Sequence, residues 1–231
     1  MKKYDIINII GFTIVFFIFV LLVVNGVITD MNSNHPYILG FFQFMIFASI
    51  GELISARVIY KKWIYGKTLF IKAIIWGFAG MFITLSFFVF FSGVTSAVDA
   101  GFLPLTGLPV DVVLLAFYIS ASTNIMSGPV MTSTIRILGN YLDVNDNSDE
   151  KVSLMNSIDL INWSEFISFS IVKCIPFFWI PTNTVLFLMP IEYRVSGAAI
   201  LSLAFGVIMV IVKWKERNKY TQKTNKKAIV C

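Results

Sequence analysis

The chain has 231 residues, of which 57% are hydrophobic and 13% charged, with a formal net charge of +5. A soluble domain is nearer half apolar and a quarter charged, and a soluble protein this apolar would expose aggregating patches. The composition points to lipid as solvent. The positive balance fits membrane connectors and not a nucleic-acid binder, which carries its charge on one face or stripe of a folded domain.

A helix crosses the hydrocarbon core with about 17–25 apolar residues. Six stretches qualify: 6–27, 37–60, 69–94, 110–138, 166–188 and 195–212. They are continuous runs, unlike the short alternating segments of barrel strands. The expected fold class is all-α, a polytopic transmembrane helix bundle of about six spans. Residues 1–212 form one membrane domain and 213–231 a basic tail. The first run follows Lys2 and Lys3 as a signal peptide would. It exceeds a signal core of about 7–15 residues and lacks an A-x-A exit, so it reads as an uncleaved helix.

Lysine and arginine set the orientation. They cluster at Lys2 and Lys3, at Arg57, Lys61, Lys62, Lys67 and Lys72, and again from Lys213 to Lys227, whereas 28–36 and 95–109 contain none. This is the positive-inside pattern for six helices with both termini cytoplasmic, in a cell or organelle membrane. The remaining connector, 139–165, is acidic. Its V-N-D-N-S-D-E segment lacks the glycine turn and terminal glutamate of a calcium loop, so it reads as a solvated loop. Residues 152–163 read as a short amphipathic helix along the interface. His35 is the only histidine, and Cys174 and Cys231 are the only cysteines. Neither a metal site nor a disulfide framework follows, and no cofactor is expected.

Charges inside a bilayer are costly and mark function by default. Arg57, Lys72, Asp111 and Arg136 lie near span ends, where long basic chains reach the interface. Glu52 and Lys173 sit deeper, each about 10–12 Å from a cytoplasmic end at 1.5 Å per residue. Matching depth and opposite sign make them an expected pair, either a structural clasp or a station on a polar path. The fourth span is the most polar. Ser120, Thr123, Asn124 and Ser127 share a face by three-and-four spacing, and Gly128-Pro129 interrupts the helix. A hydroxyl-rich, broken helix either lines a cavity or permits close packing. Trp63, Trp163 and Trp214 lie at boundaries, as an aromatic belt does. No nucleophile elbow, zincin, phosphate-loop or dinucleotide motif is present, so no enzyme is expected. Gly77-Phe78-Ala79-Gly80 reads as a packing motif.

The order of local motifs resembles the Mpv family, the 22-kilodalton peroxisomal membrane protein family. His35-Pro36 precedes a helix. Gly51-Glu52-Leu53-Ile54-Ser55-Ala56 resembles the family's G-D-x-x-x-Q element, with glutamate for aspartate and alanine for glutamine. Gly128-Pro129, with Leu138 beyond, is similar to G-P-x-x-H-x-W-Y-x-x-L, with Thr132 in place of histidine and Thr134-Ile135 in place of Trp-Tyr. Pro190-Ile191-Glu192-Tyr193-Arg194 is similar to V-P-x-x-x-R, and Trp179 with Pro181 to the W-P before it. The likeness runs from about His35 to Lys215; the first helix is extra, and the other five exceed the family's usual four. The resemblance implies a compact, channel-like helical bundle and does not imply catalysis. Gly128, Pro129, Pro190 and Arg194 are its structural residues. The expected function is a small channel or transporter for ions or small polar solutes. The alternative is a non-transporting membrane subunit, assembly or immunity-type protein that acts through partner binding. The expected partners are membrane lipids and a homo-oligomer or membrane complex, with no nucleic acid.

Overall fold

In hydrocarbon every backbone N–H and C=O must be satisfied within the chain, which turns continuous apolar runs into helices. The computed structural model describes residues 3–147 and 150–207, and among them there are helices and no strands. The helices are α1 (Lys3–Val24), α2 (Val27–Asn34), α3 (Pro36–Tyr60), α4 (Lys67–Asp99), α5 (Asp111–Met126), α6 (Gly128–Asn147), α7 (Leu154–Asp159) and α8 (Trp163–Phe166). A π segment (Ile167–Trp179), α9 (Ile180–Leu188) and α10 (191–207) follow. Five stretches are long and apolar enough to cross a membrane: Lys3–Val24, Pro36–Tyr60, Lys67–Asp99, Asp111–Asp146 and Trp163–Leu188. This is the make-up of an integral membrane protein. The sixth expected span begins in α10; its end, 208–212, and the basic tail lie outside the described residues.

Proline chemistry shapes two of the spans. Pro129 has no N–H and cannot continue a ladder unbroken, so the fourth span divides at Ser127 into α5 and α6. Pro176 lies inside the π segment and Pro181 two residues beyond it, both within the continuous helical stretch Trp163–Leu188, where each removes one N–H from the ladder. Two expected connectors are more helical than composition suggested. Residues 28–36 are largely α2, and α6 continues to Asn147, well past 138. No proline follows Pro129 in that stretch, so the helix outlasts its apolar run. The expected interfacial helix within 152–163 is the six-residue α7.

Small residues set how closely the helices approach. A Cβ on Gly80 would collide with the carbonyl oxygen of Gly40, and one on Gly77 would come within 2.5 Å of the Phe41 ring. The α3–α4 hairpin therefore depends on bare backbone at Gly77 and Gly80, the packing role expected of that motif. A core of Phe44, Phe47, Phe87, Ile119, Leu186, Phe187, Val195 and Ala199 joins α3, α4, α5, α9 and α10.

α1 stands apart, with none of its residues buried. Edge-to-face contacts of Phe12 with Trp63 and of Phe19 with Phe47 hold it. So does a fork in which Arg57 donates to both oxygens of Asp5, at 2.6 and 2.9 Å, while Trp63 Nε1 donates to Asp5 at 2.9 Å. Arg57 is thus an ion-pair partner and not merely a chain reaching the interface.

Gly80→Ala should cost about 1–3 kcal/mol, the usual cost of overpacking, seen as a lower thermal midpoint in detergent. Gly93→Ala, where an added Cβ meets nothing within 4 Å, should leave the midpoint unchanged.

Candidate functional site

The polar face of α5 turns inward. Ser120 is fully buried, Thr123 and Asn124 nearly so. Ser120 Oγ donates to the carbonyl of Ile180 at 2.7 Å, which ties α5 to α9. Asn124 Nδ2 donates to the carbonyl of Ser120 at 2.8 Å, and Asn183 Nδ2 donates to Asn124 Oδ1 at 3.1 Å. Asn183 Oδ1 is buried with no protein partner. The hydroxyls of Thr123 and Ser127 donate to their own helix, to Ile119 and Thr123 carbonyls at 2.7 and 2.5 Å. Such bonds satisfy a hydroxyl in an apolar setting without a second helix.

Beside this lane lies a cavity of about 240 Å³. Thr123, Asn124, Ser127, Thr132, Asn183 and Ser202 form its polar wall, and Trp76, Phe82, Phe87, Trp179 and Phe205 its aromatic one. The Trp179 and Phe205 rings pack at a tilt, their centroids 5.0 Å apart. Arg136 lines the cavity, is itself exposed, and is the one charged residue among the described lining residues. Of the residues expected to line a path, Thr123, Asn124 and Ser127 line this cavity. Ser120 does not, because its hydroxyl is sealed against Ile180. The wall extends well beyond the fourth span: α3 contributes Phe44, and α4 and α10 supply much of it.

A second cavity, of about 350 Å³, is lined by residues including Asn32, Tyr37, Thr84, Phe91, Phe187 and Arg194. The two are stacked along the bundle. On α4 the first takes residues 76–87 and the second 84–91. On α10 the first takes 198–205 and the second 191–195. Phe87 belongs to both, and its ring packs on that of Phe187 at 4.9 Å. An aromatic pair therefore stands between them.

The expected Glu52–Lys173 pair does not form. Glu52 accepts from Trp76 Nε1 at 2.9 Å and lies 3.6 Å from Lys72 Nζ, which is also 2.7 Å from Asp143. Lys173 is exposed on the π segment, with no ion pair among the described residues. The physical reason is connectivity. The short 61–66 link folds α4 back along α3, so Lys72, five residues into α4, comes level with Glu52, eight residues from the end of α3. The continuation of α6 then delivers Asp143. Glu52 reaches the cavity only through Trp76, which it orients.

The motif residues have packing roles. Arg194 Nε donates to the Met189 carbonyl at 3.0 Å and caps the end of α9, and its guanidinium lies over the rings of Phe91 and Phe187, at 4.7 and 5.5 Å. Pro190 precedes the first turn of α10. Gly51 and Gly206 let α3 and α10 cross closely, since a Cβ on Gly206 would lie 3.3 Å from Gly51 Cα. Gly128, ahead of Pro129, lets α6 start against Ile175. Sequence reasoning missed the buried bond from Gln43 Nε2 to Ser196 Oγ at 2.8 Å and the role of Asn183. A lone amide in an apolar run was the available signal for both.

Compared with protein-family models, curated proteins and solved structures, the chain matches none.

The Asn124–Asn183 bond should behave as a coupled pair. Asn124→Ala strands the Asn183 amide and should cost about 1–3 kcal/mol. The Asn124→Ala/Asn183→Ala double variant should lose less than the sum of the single losses when unfolded in detergent. Strict additivity would show that the two amides share no bond.

Proposed function

We propose that this chain is a small membrane conduit that passes small polar solutes between the two stacked cavities, with Phe87 and Phe187 as its barrier. The observation that carries this reading is that Phe87 walls both cavities. Hydrophobic constrictions close membrane pores by excluding water, and rotation of one buried ring would join the two spaces. A cavity of about 150 Å³ accommodates benzene, so spaces of about 240 and 350 Å³ suit solutes somewhat larger than that. No carboxylate lines either cavity among the described residues, whereas Arg136 and Arg194 do. Neutral and anionic solutes are favoured over cations. The positive-inside pattern puts the Arg136 cavity on the cytoplasmic side, with both termini cytoplasmic, and the Mpv resemblance agrees with a channel-like bundle.

A second reading, a non-transporting subunit that binds a membrane partner, is favoured by α1, which has no buried residue and rests against the bundle at few points.

Efflux of radiolabelled glycerol from proteoliposomes separates the two. The conduit reading expects release above that of empty liposomes, and about tenfold faster release with Phe87→Ala, the effect of removing some 1.4 kcal/mol of barrier. No release from either protein, with both folded, favours the partner-binding subunit.

A further inference from the structure

Arg194 presents an unbalanced charge. Its Nε is used by the Met189 carbonyl and its face by two phenylalanine rings, but Nη1 is buried and has no partner. Glu192 contributes a favourable charge interaction but forms no ion pair with it among the described residues. The side chain as a whole is only half-buried, but an orphaned buried donor in a folded protein calls for an explanation such as a bound ion or water. Arg194 also walls the second cavity, whose described lining has no carboxylate.

The rest of that cavity indicates what the counter-charge is attached to. Asn32, Tyr37 and Thr84 add polar groups to the wall. Phe88, Phe91 and Ile191 form an apolar flank, and Phe88 and Ile191 are exposed on the outside of the bundle. A mostly apolar recess with one cationic corner, flanked by exposed apolar side chains on the outside of the bundle, matches an amphiphile, with its acidic head at Arg194 and its chain outside. Basic pockets between transmembrane helices hold anionic lipid headgroups at the cytoplasmic face, and the same charge pairing is available to Arg194 at the opposite end of the bundle.

We propose that the second cavity is a binding site for an anionic amphiphile, whose phosphate or carboxylate pairs with Arg194 and whose chain lies along Phe88 and Ile191. The head can belong to a membrane lipid or to a free fatty-acid-like anion. Neither source requires that solutes pass through the bundle.

The test is native mass spectrometry of the purified full-length protein in neutral detergent, titrated with phosphatidylglycerol or phosphatidylcholine. The wild type should retain one phosphatidylglycerol at least about fivefold more tightly than phosphatidylcholine, the factor expected of one basic group. Arg194→Gln should abolish the preference. Ile191→Trp keeps the arginine and fills the mouth; it should weaken phosphatidylglycerol binding even where Arg194→Gln fails to fold. Lys173→Gln, which removes an exposed cation far from the cavity in the chain, should bind as the wild type does. In a second arm octanoate replaces the lipid. Octanoate binding that depends on Arg194 and competes with phosphatidylglycerol assigns the site to free anions as well; phosphatidylglycerol binding that octanoate does not displace assigns it to lipid. Equal retention of the two lipids by the wild type, or an undiminished phosphatidylglycerol preference in Ile191→Trp and in folded Arg194→Gln, would overturn the proposal.

Discussion

Hydrocarbon offers no hydrogen bonds, and the arrangement of this bundle follows from that. A hydroxyl or amide on a spanning helix has to fold back on its own backbone, find another helix, or face a cavity that holds water. α5 shows the first two solutions within two turns, along the wall of a cavity. Thr123 and Ser127 fold back, Ser120 crosses to the Ile180 carbonyl, and Asn124 bridges Ser120 to Asn183 at the wall of the first cavity. The same demand explains why breaks in the fourth and fifth spans adjoin each other. Ser127, Gly128 and Ile175, at the α5–α6 junction and in the π segment, all line one cavity. Irregular backbone at membrane depth is tolerated where it is buried in protein or lines such a space.

Charge obeys the same rule at greater expense, at least about 2.5–3.5 kcal/mol for a basic or acidic side chain at a helix centre. The chain answers by neighbourhood. Asp5 receives Arg57 and Trp63, and Lys72 sits between Glu52 and Asp143. Both clusters form where short links bring helix ends together, and both involve α3, the helix that also carries the closest packing against α4. The Glu52 cluster holds Trp76 in the cavity wall. Charge pairing at one end of the bundle is thereby joined to the shape of the polar space inside it.

The helical class and the approximate spans were legible because hydropathy over twenty residues is a strong signal, and the polar face of α5 because three-and-four spacing survives in any helix. Pairing was not legible. Glu52 and Lys173 match in depth, but depth says nothing about which helices are neighbours. The turn 61–66 held that information, since a short link makes α3 and α4 antiparallel partners and brings Lys72 to Glu52. Asp143 was hidden for another reason. Composition marks where an apolar run ends, whereas a helix ends where its backbone is interrupted, and α6 runs on to Asn147. Asn183 carried only a weak signal, one amide among apolar neighbours, because its meaning depends on Asn124 across the α5–α9 contact.

The central claim is that the polar faces enclose water inside the bundle while the apolar faces meet lipid. Cysteine accessibility in membrane vesicles, on a background with Cys174 and Cys231 replaced by alanine, addresses it directly. Single cysteines at Thr132 and Ser202, in the wall of the first cavity, should react with a charged, water-soluble thiol reagent. Cysteines at Phe117 and Ile125, exposed on the outer surface of α5, should remain unmodified in lipid. Reaction at Phe117 and Ile125 with protection at Thr132 and Ser202 would contradict the account, because the surface assigned to lipid would then be the one that meets water.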